Sequence, residues 1–394
     1  MGMNDTPKGE RLHIALFGRT NAGKSSLINA ITGQKLSIVS EIKGTTTDPV
    51  YKAMEILPIG PIMLIDTPGI DDEGVLGELR IEKAKEIMKK ADIALVIKDA
   101  TEETETFIEK ELEEELKKSK IPYFLVYNKA DLAKTTKENK ENSIYVSAKT
   151  GQGIYELKEK LQQLVPAENK TPLVSDFIQK GDLVILVVPI DKAAPKGRLI
   201  LPQQQTIRDI LEKGGIPVVV RDSELELVFS KLQEKPRMVI TDSQVFEQVA
   251  KIVPKEIPLT SFSILMARYK GDLSVLANGA FKLDTLQNSD KILIAEGCTH
   301  HRQCGDIGTE KLPKWIRKHT GKEFSFDFCS GTEFPVDLKQ YALIVHCGSC
   351  MLNEKEMKSR MKEAVKQGVP IVNYGILIAY MKGILERSLE IFDI

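Results

Sequence analysis

The chain has 394 residues, a formal net charge of -1, and 42% hydrophobic and 28% charged side chains. A single core stops growing well before that length, so two or three domains are expected. Near-neutral charge leaves no electrostatic footprint for nucleic acid, and no apolar run reaches the roughly 18 residues that cross a bilayer, so neither is an expected partner.

Up to about residue 165, apolar strands alternate with helices whose outer faces are charged. Leu12–Phe17 reads as a strand, and Lys24–Ile31 as a helix that Gly33 can terminate. Strands follow at Ile62–Ile65, Ala94–Ile97, Tyr123–Tyr127 and Ile144–Val146, with helices at Leu76–Lys90 and Thr104–Lys118 between them. That order predicts an α/β domain over residues 1–165, with a mainly parallel sheet covered on both faces. The stretch from Val165 to Pro172 has linker composition and marks the first boundary.

A second, smaller α/β domain is expected over residues 175–265. Strands are read at Leu183–Val188, Ile216–Val220 and Met238–Ile240, and helices at Gln205–Lys213, Glu224–Lys231 and Ser243–Ile252. It carries no nucleotide or catalytic motif, which suits an assembly surface. A third α/β domain, residues 266–394, sets two Cys-His groups just after expected strands at Lys291–Ala295 and Ala342–Val345. The carboxyl ends of parallel strands are where sites collect, so the two groups can meet at one sheet edge. Glu354–Lys366 then reads as a helix and Pro370–Tyr374 as a strand.

The chemistry begins at Gly18-Arg-Thr-Asn-Ala-Gly-Lys-Ser25, a phosphate-binding loop between a strand and a helix. Asn21, Ala22, Gly23, Lys24, Ser25 and Ser26 line it, and its backbone N–H groups can cradle phosphates. Lys24 is expected on the β- and γ-phosphates and Ser25 on Mg²⁺. Asp66-Thr-Pro-Gly69 follows a strand, placing Asp66 by the Mg²⁺ shell and the Gly69 N–H by the γ-phosphate. Gly44-Thr-Thr-Thr-Asp48 supplies the threonine that senses the γ-phosphate through the metal, assigned to Thr46 with Thr45 as nearest competitor. In Asn128-Lys129-Ala-Asp131, the Asp131 carboxylate can accept both N1–H and the exocyclic amine of guanine, a donor pair adenine lacks. Ser147-Ala148-Lys149 completes the base pocket. Five motifs in this order imply a GTPase, with Lys24, Thr46 and Gly69 as its catalytic residues.

Over residues 11–165 these motifs resemble the TrmE-Era-EngA branch of translation-factor-like GTPases. Ile70 follows the Asp66 motif, so the water-orienting glutamine of Ras-like enzymes is missing. Asn21 stands where potassium-activated members of that branch have an asparagine ligand for K⁺. The resemblance implies that K⁺ substitutes for an arginine finger in the transition state.

All five cysteines lie beyond residue 297, an uneven count and placement unlike a disulfide framework. The N-terminus also shows no secretory pattern, so a reducing cytoplasm is the expected location. Cys298-Thr-His300 and His346-Cys347-Gly-Ser-Cys350 are soft-ligand groups separated by 45 residues. Their spacing admits a structural zinc, an iron–sulfur cluster on three thiolates, or a Cys347–Cys350 redox dithiol.

A TrmE-like GTPase followed by these two groups resembles the HydF family, GTPases that mature FeFe hydrogenases. The resemblance covers the whole chain. It implies a 4Fe-4S cluster on Cys298, Cys347 and Cys350, a dimerising middle domain, and a scaffold role. The scaffold would receive a transient di-iron precursor and deliver it to the apo-hydrogenase, working with radical-enzyme maturation partners. His300 and His346 match the family's histidines as possible ligands, or as hydrogen-bond partners of a sulfur. The rival reading is an RNA- or ribosome-associated GTPase with a zinc domain. Cys304 and Cys329 read as small buried thiols, and His13 and Trp315 as packing residues. His319 reads as a helix end.

Overall fold

The first strand is apolar on both faces, and that property sets the architecture of the N-terminal unit. In the computed structural model, Ile14 and Leu16 enter one core while Ala15 and Phe17 enter another. The structure describes all residues except 1–5, 34–48, 58, 71–74, 103, 105, 134–138, 166–170, 191–198, 298–305, 332 and 393. Met1–Glu168 form one compact unit and Asn169–Ile394 another.

The first unit runs β1 (Leu12–Gly18), α1 (Lys24–Thr32), β2 (Val50–Ile56), β3 (Gly60–Asp66), α2 (Val75–Met88), β4 (Ile93–Asp99), α3 (Phe107–Lys118), β5 (Tyr123–Asn128), β6 (Ser143–Tyr145) and α4 (Ile154–Leu164). The sheet order is β2-β3-β1-β4-β5-β6, parallel except for the antiparallel pair of β2 and β3. The sequence reading missed β2. Strand β1 lies between β3 and β4, so the chain leaves its carboxyl end at the point where the strand order reverses, the crevice in which α/β sheets bind ligands. Helix α1 ends on Gly33 at φ 66, the left-handed cap expected of that glycine. Helix α3 begins one turn later than expected, because the Thr106 hydroxyl and Glu109 carboxylate form a capping box there.

The second unit begins with β7 (Leu183–Val187), α5 (Leu201–Lys213), β8 (Ile216–Val220), α6 (Leu225–Lys231), β9 (Met238–Thr241), α7 (Phe246–Ile252), β10 (Leu259–Ser261) and α8 (Phe262–Lys270). It continues with α9 (Leu273–Ala280), β11 (Lys291–Glu296), α10 (Leu312–Thr320), β12 (Ser325–Ser330), β13 (Leu343–His346), α11 (Glu354–Lys366), β14 (Ile371–Asn373), α12 (Tyr374–Met381) and α13 (Leu385–Leu389). Two four-stranded parallel sheets result, β10-β9-β7-β8 and β12-β11-β13-β14. One hydrophobic core joins them, containing Ile185 and Val239 of the first sheet and Ile294 and Val345 of the second.

Helix α8 packs against α5 from the middle segment and against α11 and α12 from the last. Its Ser263 hydroxyl donates to the Asn373 side chain at 3.2 Å. Arg387 of α13 donates to the carbonyls of Ala250, Val253 and Pro254, at 3.0, 2.9 and 2.7 Å, satisfying groups left open at the end of α7. Among the described residues, no helix is long and apolar enough to cross a membrane.

Candidate functional site

The nucleotide loop leaves β1 and turns into α1 without a side-chain cap, so the first N–H groups of the helix stay open for phosphate oxygens. Gly23 sits at φ 90, and a Cβ there would come within 2.2 Å of Asn128 Nδ2. Lys24 is buried, its Nζ on the carbonyls of Gly18 and Arg19 at 2.9 and 2.8 Å. Asn21 is exposed at φ 62, a left-handed conformation that asparagine tolerates better than most residues. Ala22 is buried and Ser26 exposed.

The Ser25 hydroxyl donates to Asp66 Oδ2 at 2.6 Å, while the buried Asp66 Oδ1 has no hydrogen-bond partner. An orphaned carboxylate oxygen beside a hydroxyl is a hard-oxygen donor pair, the ligand chemistry that suits Mg²⁺. Thr67 Oγ1 donates to the Leu16 carbonyl at 2.6 Å and ties this segment to β1. At Gly69 a Cβ would fall 2.1 Å from Thr20 Oγ1, so only glycine lets the segment approach the phosphate loop this closely. Thr45 and Thr46 lie outside the described residues.

At the base pocket, Asn128 is 2% exposed and pinned at both ends of its amide. Its Nδ2 donates to the Ala22 carbonyl at 3.1 Å, and its Oδ1 accepts from Ala148 N–H at 3.0 Å. This side chain therefore joins the phosphate loop to the base-binding segments. Lys129 donates to Asp99 Oδ2 at 2.5 Å. Burial pushes the Asp99 carboxyl up, but the Lys129 ammonium and Thr101 outweigh it and hold it below its usual range. Asp131 Oδ1 accepts from the Ser147 hydroxyl at 2.7 Å, and Lys149 is exposed. Asp99 was not singled out by the sequence, where it is one carboxylate among many.

In the second unit, β11 and β13 are neighbours, and their carboxyl ends carry the two Cys-His groups. Cys298 and His300 lie outside the described residues, but Gly297 does not. Its N–H donates to Cys347 Sγ at 3.0 Å, and the Ser349 N–H lies 3.4 Å from the same sulfur. Two amide donors on one sulfur suit a ligating thiolate. Without a metal, burial pushes the Cys347 thiol up to about 11, and the two amides offset only part of that. Cys347, Cys350 and Cys329 are all half-buried. Among the described residues, no three His, Cys, Asp or Glu side chains form a metal-holding group.

His346 is fully buried, and both ring nitrogens are engaged. Arg360 Nη1 lies 3.1 Å from Nε2, and a guanidinium can only donate, so Nε2 is the acceptor. Nδ1 then carries the hydrogen and donates to the Cys347 carbonyl at 3.0 Å. Burial and the Arg360 charge hold the imidazole neutral, its pKa down to about 3. Arg360 also donates to the Gly331 carbonyl at 2.7 Å and to Glu356 at 2.9 Å. His13 is buried with Nδ1 2.8 Å from the Arg11 carbonyl, Trp315 packs on the core, and His319 occupies the last turn of α10 beside Asp284.

Comparison with known proteins assigns these regions in order along the chain. Residues 13–129 match a family model described as 50S ribosome-binding GTPase. Residues 173–271 match the Hydrogen maturase F dimerization domain, and residues 274–391 its tetramerization domain. The tRNA modification GTPase MnmE of Legionella pneumophila is 39% identical over 160 residues, 40% of this chain and 35% of that protein. MnmE of Bordetella avium is 36% identical over 156 residues, 39% of this chain and 34% of that protein. The chain thus spans about a third of the length of these curated relatives. Among solved structures, Era of Aquifex aeolicus bound to GDP.AlF4- aligns at 23% identity and a TM-score of 0.35, over 53% of this chain and 92% of that one. The G domain of the T. maritima FeoB iron transporter aligns at 24% identity and a TM-score of 0.31, over 39% and 99%. With a GTPase domain followed by both maturase F domains, the chain belongs to the HydF family of hydrogenase-maturation GTPases.

Proposed function

We propose that this chain is a GTP-hydrolysing scaffold that holds the di-iron precursor of the FeFe-hydrogenase active site and passes it to the apo-hydrogenase. Residues 1–165 bind GTP and Mg²⁺, residues 175–265 dimerise, and residues 266–394 carry a 4Fe-4S cluster on Cys298, Cys347 and Cys350. The observation that carries this reading is the Gly297 N–H on Cys347 Sγ at 3.0 Å. It brings the residue before Cys298 to the cysteine pair at adjacent strand ends, which supports a site that draws on both Cys-His groups. When bound, the cluster would supply an electron-storing iron centre held by Cys298, Cys347 and Cys350. The chain's own residues orient the Cys347 thiolate through the Gly297 and Ser349 N–H groups.

Anaerobic reconstitution with iron and sulfide tests this. The wild type is expected to turn brown and to show the optical and EPR signatures of a 4Fe-4S cluster, whereas Cys298→Ala stays pale. A colourless wild type that retains zinc instead would support the RNA-associated rival.

On the GTPase side, we propose that Asn21 ligates K⁺. Its exposed, left-handed position and the missing glutamine at Ile70 support that reading. Hydrolysis is expected to be about tenfold faster in KCl than in NaCl, ~1.4 kcal/mol of transition-state stabilisation. Asn21→Ala should abolish the difference in a phosphate-release assay, and equal wild-type rates in the two salts would refute the assignment.

A further inference from the structure

Lys270 is the last residue of α8 and is 2% exposed, an unusual place for an ammonium. Its Nζ lies 2.8 Å from the Leu352 carbonyl and 3.3 Å from those of Ser349 and Cys350. Three acceptors match the three hydrogens of an ammonium, so burial is compensated by hydrogen bonds. A lysine at a helix C-terminus commonly serves its own helix's carbonyls. These acceptors instead lie 79 to 82 residues away, in the turn that holds Cys347 and Cys350.

That turn needs such a restraint. Ser349 adopts φ 56, a left-handed conformation that strains a non-glycine residue and persists only where the surroundings impose it. The other side of the turn is held by the Ser349 hydroxyl, which lies 3.2 Å from His346 Nδ1, and by the Arg360–His346 pair behind it. A small cavity between α8 and the turn is lined by Lys270, Met266, Cys347, Ser349, Met357 and Asn373.

We propose that Lys270 is a positioning residue for the Cys347–Cys350 turn, holding its carbonyls in the ligating conformation and placing a buried positive charge beside the cluster. A methionine would fill the same space without the burial cost, so the charge has a role that packing does not supply. A fixed cation beside the thiolates favours the more negative, reduced state of an iron–sulfur centre. The ammonium also arrives on a helix that begins at the end of β10, so the cysteine turn is tied directly to the middle sheet.

This inference rests on iron binding at Cys347 and Cys350, and its test separates the two claims. In the metal-free full chain, iodoacetamide labelling at Cys347 and Cys350 is followed by mass spectrometry, with Cys329 as internal reference. Lys270→Met is expected to speed labelling of both turn cysteines by about tenfold and to leave Cys329 unchanged, because the turn opens more often. After reconstitution, Lys270→Met should make the reduction potential more negative and hasten iron loss to a chelator. Lys270→Gln, a neutral donor, should keep labelling slow while still shifting the potential. This second variant keeps the charge role testable should the methionine variant not fold. A wild type that takes up no iron would defeat the cluster reading, while labelling still judges Lys270. A folded Lys270→Met with wild-type labelling, or a Lys270→Gln with wild-type potential, would overturn the positioning role.

Discussion

Asp131→Asn is expected to lower GTP affinity by at least ~100-fold and to raise affinity for xanthosine triphosphate in return. The reasoning starts from donors and acceptors. A carboxylate accepts from guanine N1–H and from the exocyclic amine, whereas asparagine turns an NH₂ group toward one of those donors. A buried donor facing a donor forfeits a hydrogen bond and leaves both groups desolvated. Xanthine carries a carbonyl at that ring position, so asparagine can donate to it and still accept from N1–H. The surrounding frame should survive the change, because Ser147 and Asn128 hold the pocket by separate bonds. The Ser147 hydroxyl receives Thr150 N–H at 3.1 Å, and Asn128 is pinned by Ala22 and Ala148. Titration calorimetry with the two nucleotides reads the switch directly. Unchanged GTP affinity would remove Asp131 from the base pocket.

Strands buried on both faces are read from their apolar runs, and the edge strand β8 is read from its β-branched residues despite little burial. β1 and β4 are near-continuous apolar runs, and they formed within a residue or two of expectation. The strands that escaped notice, β2, β10 and β12, lie at sheet edges. β2 reads Val-Tyr-Lys-Ala-Met-Glu-Ile with only Ile56 buried, so its apolar residues follow no face. β12 is half-exposed throughout, and β10 is too short to establish a period. Helix α5 starts at Leu201, four residues before the expected Gln205, because Pro202 is tolerated in a first helical turn although it would break an interior one.

Site residues divided along the same line. A phosphate loop is local in sequence, so Gly18 to Ser25 could be read whole, and their mutual geometry follows from one strand-turn-helix unit. The supports are not local. Asp99 reaches Lys129 across a strand pair, and Lys270 reaches Cys350 across 80 residues, so composition offered no mark by which to choose them. His346 illustrates the limit of motif reading. Its place beside Cys347 makes it a candidate ligand on paper, yet the guanidinium that engages Nε2 comes from Arg360, on a helix whose inward face could not be assigned to the histidine beforehand.

Two substitutions should separate the activities completely. Lys24→Ala is expected to reduce GTP hydrolysis by at least ~100-fold, because Lys24 is the charge we propose for the β- and γ-phosphates. Cys347→Ala is expected to abolish iron binding, because it removes one thiolate and with it the acceptor of the Gly297 and Ser349 N–H groups. Each change lies in a different compact unit, Met1–Glu168 or Asn169–Ile394, with its own sheets and cores. Sites in separate units with no shared partners act additively, so each variant should keep the activity of the other site within about twofold. Iron content and phosphate release measured on the same preparations give all four values. A Lys24→Ala protein that loses its iron would show instead that nucleotide occupancy and cluster retention are linked. The link would then need an element with two arrangements, biased by nucleotide at one end and by the cysteine turn at the other.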